Sequence, residues 1–200
     1  MHRRTFILSA AAIAAAPALA AEALRSAAPV TIGSIEYAPE LMLAGKKLLL
    51  NGAGLRKIVF FKVYGAGLYL GTKTTDPAVA MADAGPRRVR LGLLRDVSGA
   101  DFIEALEDGL NANLTPEKKA AIAKELEALK ALMKAIGDVK ENDLVDFDYM
   151  PSLGTVVNRN GEPVGDPIPG KPLYDAVLAI WLGEKPIDER LKKGMLGLED

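Results

Sequence analysis

The chain has 200 residues, half of them apolar, with 25 basic and 26 acidic side chains. That is enough for one domain with a real core and hardly enough for two. It has no cysteine, and its one histidine, His2, lies at the extreme N-terminus, so disulfides, thiolate nucleophiles, Ser-His-Asp or Cys-His machinery and nitrogen/sulfur metal sites are excluded from the body of the chain.

Residues 1–20 read as a cleaved export signal. His2, Arg3 and Arg4 precede an apolar run at residues 6–16, and Pro17 leads to the small-residue triplet Ala18, Leu19, Ala20. The string R-R-T-F-I-L fits the twin-arginine form of such a signal. The run is shorter than the roughly 20 residues a bilayer span needs, and no integral membrane segment is expected after cleavage. The expected location is therefore the periplasm or the outside of the cell. Losing Arg3 and Arg4 takes the basic count from 25 to 23 against 26 acids, a net charge of −3. So mild a balance argues against a nucleic-acid partner, which needs a concentrated basic face.

Residues 21–29 are expected to be a flexible leader, and residues 30–198 the folded domain. A strand-like pattern runs through Val30, Ile32 and Ile35. Residues 47–50 lead into Asn51-Gly52, a strong turn signal. Residues 58–70, rich in β-branched and aromatic side chains, read as one long strand in which Gly65 and Gly67 permit a close backbone approach. Asp76-Pro77 opens a short helix. In residues 87–94, Val89, Leu91 and Leu93 alternate with Arg88 and Arg90. A helix starts at Ser98, carrying the stripe Phe102, Leu106, Leu110, and another at Thr115, carrying Ile122, Leu126, Leu129, Met133 and Ile136 up to Gly137. In residues 143–150, Val145, Phe147 and Tyr149 alternate with Asp146 and Asp148, whose acidic face suits the Arg88/Arg90 face. Asn160-Gly161 marks a hairpin. Lys171-Pro172 opens a broadly apolar helix through Leu182, and a short helix over residues 186–195 follows. The fold class is α+β: an open antiparallel β-sheet covered on one face by helices.

Three segments, in order, resemble chalcone isomerase-like proteins, the bacterial exported members most closely. They are N-G-A-G-L-R-K at residues 51–57 with F-K-V-Y-G-A-G-L-Y-L at 61–70, L-R-D-V-S-G-A-D-F at 94–102, and Y-D-A-V-L-A-I-W-L-G-E-K-P at 174–186. The resemblance implies a ligand cleft between sheet and helices. It places Arg56 at the substrate-positioning arginine of the plant isomerases and Tyr64 at their first threonine. That second position is also tyrosine in the plant fatty-acid-binding relatives, where it works with the arginine on a carboxylate. The isomerases' catalytic tyrosine, asparagine and last threonine correspond to Phe102, Gly109 and Ile180. Phe102 has no hydroxyl to polarise a ketone, and each lost donor of this kind costs on the order of 10²–10³ in rate.

The resemblance therefore implies a non-catalytic periplasmic binding protein for a small hydrophobic carboxylate such as a fatty acid. Arg56 and Tyr64 would be the ligand-binding residues, with no cofactor or metal. Two alternatives stand beside it: an isomerase or lyase using Tyr64 as acid/base and Arg56 as oxyanion stabiliser, and an envelope interaction module with no small ligand. The sequence names no protein partner. One spacing stands against the site, because no turn former lies between Arg56 and Tyr64, and a continuous strand would set them roughly 26 Å apart. Either the chain bends there or Arg56 is not the equivalent arginine. Lys62 shares the face of Tyr64 in such a strand, Arg95 is expected to pair with Asp96 or Asp101, and Trp181 is expected in the core.

Overall fold

The alternating segments build a seven-stranded antiparallel sheet in the order β3-β4-β5-β6-β7-β8-β9, seen in a computed structural model that describes residues 28–198. The expected export signal and most of the expected leader fall in residues 1–27 and lie outside the described residues. The strands are β3 (Glu40–Leu43), β4 (Lys46–Ile58), β5 (Phe61–Leu70), β6 (Arg87–Leu93), β7 (Leu144–Met150), β8 (Gly154–Arg159) and β9 (Glu162–Pro163). Six helices accompany them: α1 (Pro77–Ala82), α2 (Gly99–Asn113), α3 (Pro116–Ala121), α4 (Ala123–Ile136), α5 (Lys171–Leu182) and α6 (Glu189–Met195). The fold is α+β with an open antiparallel sheet, as the patterning predicts. Among the described residues, no helix is long and apolar enough to cross a membrane.

The helices pack on one sheet face, where Ala66, Leu68, Val89, Leu91 and Phe147 meet Leu106, Leu129, Val177 and Trp181 in one core. The opposite face has its own cover. The apolar pattern at the start of the domain is interrupted at Gly33 (φ 63°), so it forms a hairpin of β1 (Val30–Ile32) and β2 (Ile35–Tyr37) rather than one strand. This hairpin makes a second small core of Ile35 and Tyr37 with Leu48, Leu50 and Tyr69. Gly65 and Gly67 allow it: a Cβ at either would stand 2.6 and 2.5 Å from Tyr37 atoms.

The charged faces of β6 and β7 meet as their alternation predicts. Arg88 lies opposite Asp148 and Arg90 opposite Asp146. Each guanidinium grips its carboxylate with two bonds, both 2.6 Å for the first pair and both 2.7 Å for the second. Both carboxylates are buried, and Asn158 donates a further bond to Asp148. Burial alone would lower the Arg88 guanidinium, but its bonds to Asp148 outweigh that and hold it above its usual range. On the helix face, the fully buried Arg87 sits between the rings of Tyr149 and Tyr174, 5.2 and 5.0 Å from their centroids. It donates to the carbonyls of Ala80 and Met81 in the last turn of α1, where a cation also suits the helix dipole.

The helix starts follow their capping residues. Asp76, Ser98 and Thr115 each accept a backbone N–H of the first turn. The helix expected from Thr115 to Gly137 is broken at Ile122 (φ −123°, ψ 26°) into α3 and α4. Asn160-Gly161 makes the predicted hairpin, both residues having positive φ.

Candidate functional site

Two departures from the sequence pattern create the site. Asn51-Gly52 is not a turn. It lies inside the thirteen-residue β4, where pairing passes from Leu50↔Tyr69 to Gly52↔Leu68 and leaves Asn51 as a bulge. The buried Asn51 side chain holds that bulge, accepting the Thr74 N–H at 2.7 Å and donating to the Met195 carbonyl at 2.9 Å. The hairpin turn falls instead at Val59-Phe60, within the stretch that reads as one strand.

A bulge shifts side-chain alternation by one residue. Before it, Leu48 and Leu50 face the β1–β2 hairpin. After it, Gly54 faces Leu191 of α6, and Arg56, two residues on, shares that helix face. The displaced turn folds β5 back so that Arg56 lies directly opposite Tyr64. Cross-strand partners have Cα atoms roughly 5 Å apart, so the expected 26 Å separation does not arise. A second irregularity, at Val63, pairs Lys62 with Lys57 and turns the exposed Lys62 to the face opposite Tyr64.

Two helical segments complete the cluster. Trp181, buried on α5, donates its indole N–H to the Tyr64 hydroxyl at 3.2 Å. Asp188 begins α6: its Oδ1 caps the Arg190 and Leu191 N–H groups, and its Oδ2 accepts from Arg56 Nη1 at 3.1 Å. The same Nη1 also donates to the Lys57 carbonyl at 2.9 Å. Burial pushes the Tyr64 phenol up to about 12, against the opposing pull of the Trp181 bond and the Arg56 charge. Near neutral pH Tyr64 is therefore an uncharged phenol, with an O–H to give while its oxygen accepts from Trp181. A guanidinium and a neutral phenol side by side are suited to hold an anion.

Arg56 and Tyr64 were readable as candidates, and Trp181 as core; Asp188 was not. It comes from 132 residues away, and its only sequence signal is that of a helix cap. Arg95 does not follow expectation: its guanidinium lies over the Phe61 ring, 4.9 Å from the centroid, while Asp96 pairs with Lys140 at 3.0 Å.

The three positions where the isomerases carry hydroxyl or amide groups are spent on packing. Half-buried Phe102 of α2 lies against the main core. Gly109 of α2 lets α5 approach so closely that a Cβ there would stand 2.6 Å from the Ile180 Cγ2. Two hollows among the described residues lie elsewhere. One, of about 430 Å³, is lined by Leu70, Thr74, Val79 and Ala82. The other, of about 160 Å³, is lined by Glu107, Leu110, Leu126 and Lys130. At the cluster around Tyr64, the Asp188 carboxylate is seated on Arg56.

The family model described as chalcone isomerase-like matches residues 29–197. Among solved structures, the crystal structure of a fatty-acid binding protein of Arabidopsis thaliana superposes with a TM-score of 0.62 at 15% identity, over 84% of this chain and 96% of that one. A search of curated proteins finds no match.

Proposed function

This chain belongs to the chalcone isomerase-like family, and from that premise we propose that it is a non-catalytic periplasmic binding protein for a small amphipathic carboxylate such as a fatty acid. The carrying observation is the cross-strand pairing of Arg56 with Tyr64, with a carboxylate, that of Asp188, already on the guanidinium. Asp188 stands where the head group of a ligand would bind. On ligand entry the head group replaces Asp188 on Arg56 and accepts the Tyr64 O–H, while apolar residues between sheet and helices part to take the tail. The name of the plant protein sharing the fold supports a fatty acid as the ligand class, and the export-type N-terminus supports the location.

The test is to extract purified protein under denaturing conditions, identify released ligand by mass spectrometry, and titrate fatty acids against Arg56→Ala and Tyr64→Phe. Bonds to a charged group contribute about 1.5–3 kcal/mol, so each variant should bind about 10- to 100-fold more weakly. Unchanged affinity in both would remove the head-group assignment.

One observation favours a second reading, an envelope interaction module with no small ligand: the hollows described above do not adjoin Tyr64. Protein that releases no ligand and shows no saturable fatty-acid binding would decide for it.

A further inference from the structure

The β4–β5 hairpin ends in four consecutive apolar residues that the fold leaves bare. Ile58 is 51% exposed, Val59 78%, Phe60 91% and Phe61 61%. Single exposed apolar side chains are ordinary, but a contiguous patch marks an interaction surface. The backbone adds a second observation. Val59 holds φ at 55°, a conformation in which a β-branched side chain crowds its own backbone. Two-residue hairpin loops favour glycine or asparagine at such positions. The chain thus keeps a bulky apolar side chain at the tip against local conformational preference.

Behind the tip lies a basic collar. Lys57 and Lys62 face each other across the two strands, both exposed. Arg95, also exposed, stacks on Phe61. The nearby acids are neutralised locally, Asp188 by Arg56 and Asp96 by Lys140. From the lysine pair to the loop is two to three residues, roughly 7–10 Å of strand. Amphipathic segments reach about 5–10 Å into the headgroup boundary of a bilayer. With Lys57, Lys62 and Arg95 level with lipid phosphates, Phe60 and Val59 lie among the upper acyl chains. A projecting tip fits a soft surface, and the positive collar selects an anionic one.

We propose that the β4–β5 hairpin tip is a membrane-docking element that inserts Val59, Phe60 and Phe61 into an anionic lipid surface. It does not rest on the carboxylate reading and stands if no ligand is found.

The test uses the full chain with sedimenting vesicles of phosphatidylcholine, with and without phosphatidylglycerol. The wild type should sediment with the anionic vesicles. Phe60→Ser should weaken that binding at least tenfold, the scale of removing one large apolar side chain, with an unchanged melting temperature. Lys57→Gln with Lys62→Gln should cost about 25-fold on anionic vesicles, at about fivefold per lysine, and almost nothing on neutral ones. Val59→Gly relieves the backbone and should melt higher while binding more weakly, which separates docking from folding. In Phe60→Trp, emission should shift to the blue on anionic vesicles and be quenched by brominated acyl chains. Equal binding by wild type and Phe60→Ser would assign the contact to another segment, such as residues 6–16, and overturn the proposal. So would self-association lost in Phe60→Ser without any lipid binding, which would make the tip a protein contact.

Discussion

Replacing Asp188 by asparagine separates two tasks that one carboxylate performs. Oδ1 caps α6 by accepting the Arg190 and Leu191 N–H groups at 2.9 and 3.2 Å. Oδ2 takes a single bond from Arg56 at 3.1 Å. Asparagine caps helices about as well as aspartate, so Asp188→Asn keeps the cap and removes the charge that competes for Arg56. The two side chains are 20% and 17% exposed. Their attraction therefore exceeds the 0.2–1 kcal/mol of a solvated pair, yet falls short of the 3–5 kcal/mol lost on breaking a buried one. About 1–2 kcal/mol is reasonable, or roughly 5- to 30-fold tighter binding of a carboxylate ligand. Trp181 is the only tryptophan and bonds directly to Tyr64, so its fluorescence reports the titration. A control needs no ligand. The Asp188 charge helps to raise the Tyr64 phenol, so in Asp188→Asn the alkaline quenching of Trp181 by the ionised phenol should begin at lower pH. An unchanged or weaker fatty-acid affinity, in a variant with an unchanged melting temperature, would refute the idea that Asp188 keeps the place of a ligand.

Three further outcomes follow from the packing. Asp148→Asn leaves the largely buried Arg88 with only the Asp146 carboxylate, 3.1 Å away and shared with Arg90, and should cost about 1.5–3 kcal/mol in urea unfolding; Arg88→Met with Asp148→Leu should recover most of it. Burial raises the phenols of Tyr64 and Tyr69 to about 12 and pushes those of Tyr37 and Tyr174 up as well. Because these folded-state values exceed the ordinary 10, the stability they contribute is complete below pH 10 and lost as pH climbs toward 12. For the fully buried Tyr69 that is about 2–3 kcal/mol in full, of which about half is lost between pH 9 and pH 11, measurable by urea unfolding at those two pH values alongside tyrosinate absorbance. Gly109→Ala pushes a methyl group against Ile180 and should destabilise by about 1–3 kcal/mol; thermal unfolding of the double variant with Ile180→Ala should show a coupling that relieves it.

Where a segment's own alternation decided its structure, the sequence was readable. Val89, Leu91 and Leu93 required one face of β6 to be buried, and Arg88 and Arg90 then needed partners that only the acidic face of β7 offered. The capped helix starts were readable for the same reason, since each cap bonds within its own first turn. The break at Ile122 was not, because the apolar stripe passes through it without change. Nor was the second cover of the sheet: Ile35 and Tyr37 look like ordinary strand residues until the glycines on the sheet leave room for them.

The turn between β4 and β5 shows how a local signal loses to distant contacts, and the site depends on it. Asn51-Gly52 is the strongest turn dipeptide in that region, yet Asn51 bonds 23 residues ahead to Thr74 and 144 residues ahead to Met195. Those two partners turn a turn signal into a bulge. Val59-Phe60 carries no turn signal, yet it must turn, because Ala66 and Leu68 have to lie beside Gly54 and Gly52 under the helices. The two misreadings have one cause, and correcting them together makes the site. A hairpin at Asn51-Gly52 would leave Arg56 and Tyr64 on one strand, too far apart to share an anion. With the turn moved to Val59-Phe60, they become cross-strand partners, and with the bulge at Asn51 Tyr64 meets Trp181 and Arg56 meets Asp188 on the helix side. The bulge is therefore as much a part of the candidate site as the two residues it aims.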